Sequence, residues 1–327
     1  MDTIVIFQQM VILVLLLAVG FTIRRLKVID DSANTVMMKL LLRVTVPATL
    51  IFAIVRSRPP EQEFRVLPSE VPVALFWIVL SFAIIGLLSW LAPVLMRAKK
   101  EEHGAYLNMG HYGNVNFMSI PLIIALIGAN VLTSDSMVHA ILYNIVFNLT
   151  IFSLGMKLIG GKEAKVNAKL FFSPVMIGGL LALLFFVLNV RVPEARETFG
   201  DIAQYIIFRP IGFLGDMTAP LSMLLLGSIL GGMKMGDMFR GWRIYVITAV
   251  RLLVAPVLIW LILLPFNLDP VLMQVIVIMN ASPMAISVAM FTINYNKHKE
   301  IVAQGIFIST LLSVITMPLI MWALPIF

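Results

Sequence analysis

The chain has 327 residues, 60% of them hydrophobic, a mean hydropathy of +1.00 and only 13% charged residues. That apolar content exceeds what a soluble core requires and reads as an all-α polytopic membrane protein. The net charge of +7 sits in short basic loops between apolar stretches, where membrane topology accounts for it better than nucleic-acid binding does. No cysteine is present, which excludes disulfides, thiol nucleophiles and thiolate metal sites.

The first apolar stretch, Ile4 to Ile23, lacks a basic leader and a clear small-residue cleavage site, and Arg24, Arg25 and Lys27 follow it directly. It reads as a retained helix. At about 20 apolar residues per crossing, the chain divides into ten spans near residues 4–23, 36–55, 70–96, 104–128, 137–159, 173–190, 211–232, 243–265, 270–293 and 301–325. Arg24, Arg25, Lys27, Arg97, Lys99, Lys100, Lys157, Lys162, Lys165, Lys169, Lys234, Arg240, Arg243, Lys297 and Lys299 fall on one side of this alternation; Arg56, Arg58, Arg65, Arg191 and Arg196 fall on the other. The richer side is cytoplasmic by the positive-inside bias, so both termini are expected on the outer side of the cell inner (plasma) membrane.

The fourth span is written against a continuous helix. Over Asn108 to Leu122, Gly110 and Gly113 loosen the backbone, and Asn108, His111, Asn114 and Asn116 bring polar groups to membrane depth. Pro121 cannot donate to the carbonyl of Phe117. Irregular backbone survives there only where protein or a water-filled cavity satisfies it.

Span nine carries a similar interruption in Asn280, Ser282 and Pro283. Spans two and seven share a Thr-x-Pro-x-hydroxyl spelling, in Thr45-Val46-Pro47-Ala48-Thr49 and Thr218-Ala219-Pro220-Leu221-Ser222. Spans two and four thus mirror spans seven and nine, which predicts two inverted five-helix repeats, residues 1–160 and 173–327, joined by a cytoplasmic linker at 161–172.

Ser282-Pro283 has the form of an N-cap followed by proline at the first helical position, and Ser119-Ile120-Pro121 is one residue looser. Each broken span should therefore restart a helix near mid-membrane, and two converging helix N-termini form an anion site. Asn114, Asn116, Ser119, Pro121, Asn280, Ser282 and Pro283 are the candidate substrate-binding residues. Prolines and asparagines also simply kink membrane helices and bond their neighbours. Their recurrence in corresponding spans favours a site.

Lys39, Arg43, Asp216 and Arg251 lie within spans, with Arg209 at an entrance. Arg43 or Arg251 would serve as counter-ion to a carboxylate and Asp216 as proton or cation carrier; alternatively, Asp216 pairs statically with Arg251 or Arg209. His111 is a hydrogen-bond partner or a proton relay. Asp30-Asp31 reads as a helix cap rather than a metal site, and Asn148-Leu149-Thr150 as a chance glycosylation match inside a span. No Walker loop, nucleophile elbow or His-Glu-x-x-His motif occurs, and no enzyme, cofactor or metal is expected.

At these residues the chain resembles the auxin efflux carrier family in its short bacterial form. Gly113 to Leu122, GNVNFMSIPL, is similar to that family's fourth-span signature, Gly-Asn-x-Gly-Phe-x-Gly-x-Pro-Leu, with Asn116 and Ser119 in place of glycines. Lys39 to Phe52 is similar to its second span apart from Arg43, Ala281 to Ala285 to its ninth-span break, and Ser309 to Leu319 to its last span. The resemblance implies ten helices in the bile acid symporter-like superfamily, with broken helices four and nine crossing. It also implies elevator-type transport of small organic anions such as malate, malonate or auxin-like acids, and a scaffold of spans one, two, six and seven through which a homodimer packs. The expectation is thus a secondary transporter, with a channel or solute sensor on the same fold as the alternative, and with proton or sodium coupling left open.

Overall fold

The computed structural model describes residues 2–56, 65–164, 172–192, 198–232 and 239–324. Most of the linker expected at 161–172 lies outside them, as do Arg58, Lys165, Lys169, Arg196 and Lys234 of the charge alternation.

The described residues are helical throughout, apart from connecting turns and one isolated backbone bridge. Their α-helices are α1 (Asp2–Arg25), α2 (Asp31–Leu40), α3 (Val46–Val55), α4 (Val71–Leu95), α5 (His103–His111), α6 (Ile120–Gly128), α7 (Asp135–Thr150) and α8 (Met156–Gly160). The remainder are α9 (Pro174–Val187), α10 (Phe199–Asp216), α11 (Thr218–Gly231), α12 (Trp242–Ala249), α13 (Ala255–Leu263), α14 (Pro270–Ala281), α15 (Ile286–Asn294) and α16 (Lys299–Ala323).

Seven helical runs among the described residues are long and apolar enough to cross a membrane: Phe7–Arg25, Asp31–Val55, Pro68–Leu95, Asp135–Glu163, Phe199–Gly231, Trp242–Phe266 and Lys299–Ala323. Three shorter apolar helices, Val115–Gly128, Pro174–Val187 and Pro270–Ala281, accompany them. Together they make a multi-pass membrane protein.

Prolines shape these runs. A proline removes the bond to the carbonyl four residues back, and three of these helices absorb the loss with a single wider π turn just before it. Leu41–Thr45 precedes Pro47, Val115–Ser119 precedes Pro121, and Val250–Val254 precedes Pro256. The Phe117 carbonyl that Pro121 leaves unpaired is met by the Ser222 hydroxyl of α11 at 3.1 Å.

The run expected at 211–232 begins instead at Phe199, where Thr198 and Asp201 form a reciprocal cap: the Asp201 N–H donates to Thr198 Oγ1 and the Thr198 N–H to the Asp201 carboxylate. Pro210 lies inside α10 without ending it. Asp30 caps α2 by accepting from the Ala33 N–H, and Asp31 pairs with Arg24, so this acidic pair holds a turn, as expected.

Glycine sets one helix contact. A Cβ on Gly20 of α1 would strike the Leu224 carbonyl of α11, and one on Gly227 would strike the Leu17 carbonyl and the Phe21 nitrogen of α1. The two backbones therefore touch, the close approach that small residues permit between membrane helices.

Candidate functional site

Two helices stop inside the molecule. α5 ends at His111 and its line resumes with the π turn at Val115; α14 ends at Ala281 and resumes with α15 at Ile286. The two gaps pair with each other as a short antiparallel bridge between Gly113 and Met284. The Asn114 N–H donates to the Pro283 carbonyl at 2.7 Å and the Ala285 N–H to the Tyr112 carbonyl at 2.9 Å. Each interruption thus supplies the hydrogen bonds that the other's backbone needs away from water.

The caps differ from the sequence expectation. Ser282 closes α14 rather than opening the next helix: its hydroxyl donates to the Met279 carbonyl at 2.8 Å, and Pro283 continues the extended connection. α15 starts at Ile286, after Ala285. Ser119 likewise makes no capping bond, because the π turn has already restarted the helix from Asn114. Among the restart's backbone donors, Met284 N–H is taken by the Ser309 hydroxyl at 3.1 Å and Val115 N–H by the Gly113 carbonyl at 2.9 Å.

Arg251 knits the crossing together. It sits in the π turn between α12 and α13, is 0% exposed, and aims its guanidinium at the C-terminal ends of both broken helices. Nη1 donates to the carbonyls of Gly110 (3.3 Å) and His111 (2.9 Å) of α5. Nε donates to the Ser282 carbonyl (3.0 Å), and Nη2 to the Met279 carbonyl (3.1 Å) and the Ser282 hydroxyl (3.4 Å) of the other break. Gly113 has to be glycine here, since a Cβ would collide with Arg251 Nη2 and Ser282 Oγ. The static Asp216–Arg251 pair considered from sequence is not what the structure holds: Arg251 spends its donors on carbonyls, whereas Asp216 is exposed at the joint of α10 and α11. Arg209 lies instead over the Phe213 ring, 4.5 Å from its centre.

A polar ladder surrounds the breaks. The Tyr143 hydroxyl of α7 donates to Asn280 Oδ1 at 3.0 Å, and Asn280 Nδ2 to the Ile276 carbonyl at 2.8 Å. Asn144 Nδ2 donates to Asn116 Oδ1, and Asn148 Nδ2 to Asn144 Oδ1 at 2.8 Å. Asn114 Nδ2 and Ser119 Oγ are buried with no protein partner. His111 is buried edge-on against Phe82 and Tyr112.

Further along the run that restarts after the first break lies a cavity of about 110 Å³ lined by Thr49, Ala53 and Arg56 of the α3 segment, Pro121 and Ile124 of α6, and Asp216 and Thr218 at the α10–α11 joint. It brings together Pro121 and Asp216, far apart in sequence. The Thr49 hydroxyl lies 2.6 Å from that of Thr218 and 2.9 Å from the Gly215 carbonyl, so the two Thr-x-Pro segments meet at its floor. Of the other sequence candidates, Asn114, Asn116, Ser119, Asn280, Ser282 and Pro283 gather at the crossing, and Arg43 lies exposed on the outside of the bundle. Sequence reasoning passed over Tyr143 and Asn144, and it gave no site role to Ser222, Ser309 or Arg56. The spacing of Asn144 and Asn148, four apart on one face of an apolar helix, was the available signal.

The family described as "Membrane transport protein" matches the chain in two stretches, residues 5–169 and 162–321. An uncharacterized transporter of Methanocaldococcus jannaschii is 21% identical over 323 residues, covering 96% of this chain and 97% of that protein. With a matching family profile along nearly its whole length and a crossing of two broken helices inside it, the chain belongs to the membrane transport proteins of the auxin efflux carrier family.

Proposed function

We propose that this membrane transporter carries small organic anions as a secondary transporter, binding them at the cavity between α3, α6 and the α10–α11 joint. The observation that carries the reading is the joining of two broken helices by their own backbones, with a largely apolar cavity that holds Arg56, Asp216 and two threonines lying along the helix that follows the first break. Broken helices at mid-membrane are where carriers of this kind place their ligand. Arg56 brings a positive charge to the lining, and the unpartnered Asn114 and Ser119 groups lie on the same broken run as Pro121. A carboxylate would meet one cation, Arg56, and neutral donors with the Asp216 carboxylate nearby, a balance that holds an anion without binding it irreversibly.

In this reading the ten spans form two inverted repeats, 1–160 and 173–327, with both termini outside the inner membrane. α3 and the α10–α11 run stand as scaffold, also the face of a homodimer, while the crossing moves past them as an elevator. The experiment is uptake by purified protein in liposomes against a panel of malate, malonate and indole-type acids, as exchange and under imposed gradients. Saturable uptake of at least one acid is expected. Flux that never saturates would identify a channel, and binding without flux a sensor.

A further inference from the structure

Arg251 does more than fill space. Its guanidinium has five N–H donors, and it makes five hydrogen bonds to the Gly110, His111, Met279 and Ser282 carbonyls and the Ser282 hydroxyl, with the Tyr143 hydroxyl also beside it. These carbonyls belong to the C-terminal ends of α5 and α14 and the unwound residue beyond, the negative ends of two helix dipoles. Half-helix C-termini and unwound carbonyls of this sort are the groups with which broken-helix carriers coordinate a coupling sodium ion. Here their lone pairs face a charge that is covalently part of the chain.

Three further observations make the substitution complete. Arg251 is 0% exposed and none of its hydrogen bonds goes to a carboxylate, so the two helix ends are its compensating charge. Among the described residues the one buried acid is Asp135, whose carboxylate accepts from the Arg65 and Val66 N–H groups near the start of α7 and not at the crossing. The guanidinium also packs directly on Gly113, where an added methyl would collide with its Nη2, so the backbone of the first break closes that side of it.

We infer that Arg251 is a tethered counter-cation standing where a coupling sodium ion would sit, so that the crossing of the two broken helices is complete without any dissolved cation. For transport the inference rests on the carrier reading above; for cation binding it stands alone. An obligatory sodium ion filled at about 100 times its dissociation constant would raise the melting temperature by several degrees.

The test compares melting of the purified wild-type chain in sodium chloride and in choline chloride of equal ionic strength, and repeats it for Arg251→Ala with and without millimolar methylguanidinium. The wild type is expected to melt within about 1 °C in the two salts. Arg251→Ala should melt well below it and recover in part with methylguanidinium, to which the wild type should be indifferent. A sodium-specific gain of several degrees in the wild type, or an alanine variant as stable as the wild type, would overturn the inference. If the alanine variant does not fold, the wild-type comparison still decides, and Arg251→Lys, with three donors for five contacts, should melt lower in either salt. Failure of every carboxylate to bind or move would sink the carrier reading and leave the sodium result standing.

Discussion

Tyr143 and Asn280 hold the second break by one buried hydrogen bond, with Asn280 returning its amide to the Ile276 carbonyl. Asn280→Ala would leave the Tyr143 O–H without its acceptor inside the protein, since Arg251 beside it can only donate, at a cost of about 1–3 kcal/mol. Tyr143→Phe in the same chain removes the orphan, so the double variant should melt higher than the sum of the two single losses requires, which thermal melts in detergent measure as a double-mutant cycle. Additive losses would mean the hydroxyl and amide act independently. Gly113→Ala meets Arg251 Nη2 and Ser282 Oγ head-on and should destabilise more than Gly110→Ala, whose contacts are the Ser89 hydroxymethyl and the Ile247 terminal methyl, groups that can turn aside. Asn114, Asn280 and Ser282 were visible in the sequence because polar residues in an apolar run have few explanations. The direction of Ser282 was not visible: Ser-Pro spells a helix start, and only the pairing of Pro283 with Asn114 shows the segment to be extended. Nor could a single arginine in an apolar span announce that its partners are carbonyls from two other spans.

Helices were largely legible from length and hydropathy, since a run of apolar residues in a bilayer has to satisfy its backbone internally. The expected start of the run at residue 211 failed because Arg209 and Pro210 look like a boundary, whereas Pro210 sits inside α10 and the true signal is the Thr198–Asp201 cap. At Pro47, Pro121 and Pro256 a π turn in front of the proline keeps the chain helical and turns the side chains that follow. The pairing of α1 with α11 rests on Gly20 and Gly227, and no pattern within either helix reveals its partner. Gly227→Leu should force these helices apart at a cost of about 1–3 kcal/mol or more, seen as early melting or aggregation on size-exclusion. Gly128→Ala, with open space around its α carbon, should leave both unchanged.

For the whole molecule the sequence motifs led to the family, while the contact of the two Thr-x-Pro segments through Thr49 and Thr218 is something the sequence did not announce. The bridging of the breaks and the cavity beside Pro121 were out of reach, because they depend on contacts between residues far apart in sequence. The elevator reading makes a demand on that cavity. Its α3 wall and its α6 wall have to slide past each other, and the chain's lack of cysteine makes the demand easy to test. With cysteines placed at Ala53 and Ile124, which line opposite walls, a short bifunctional thiol reagent should stop carboxylate uptake and a cleavable one should do so reversibly. Undiminished uptake after complete cross-linking would rule out sliding at this interface.

Arg251 also has a history before the protein is folded. A lone arginine at the centre of a membrane helix costs roughly 2.5–3.5 kcal/mol on insertion scales, and the run from Trp242 to Phe266 enters the bilayer with that charge and the surrounding apolar residues to offset it. The carbonyls that receive the guanidinium arrive from α5, synthesised long before, and from α14, synthesised just after. Biogenesis of the second half therefore ends on a part of the first: two half-chains made separately should each insert, but neither should mature until they meet in one membrane.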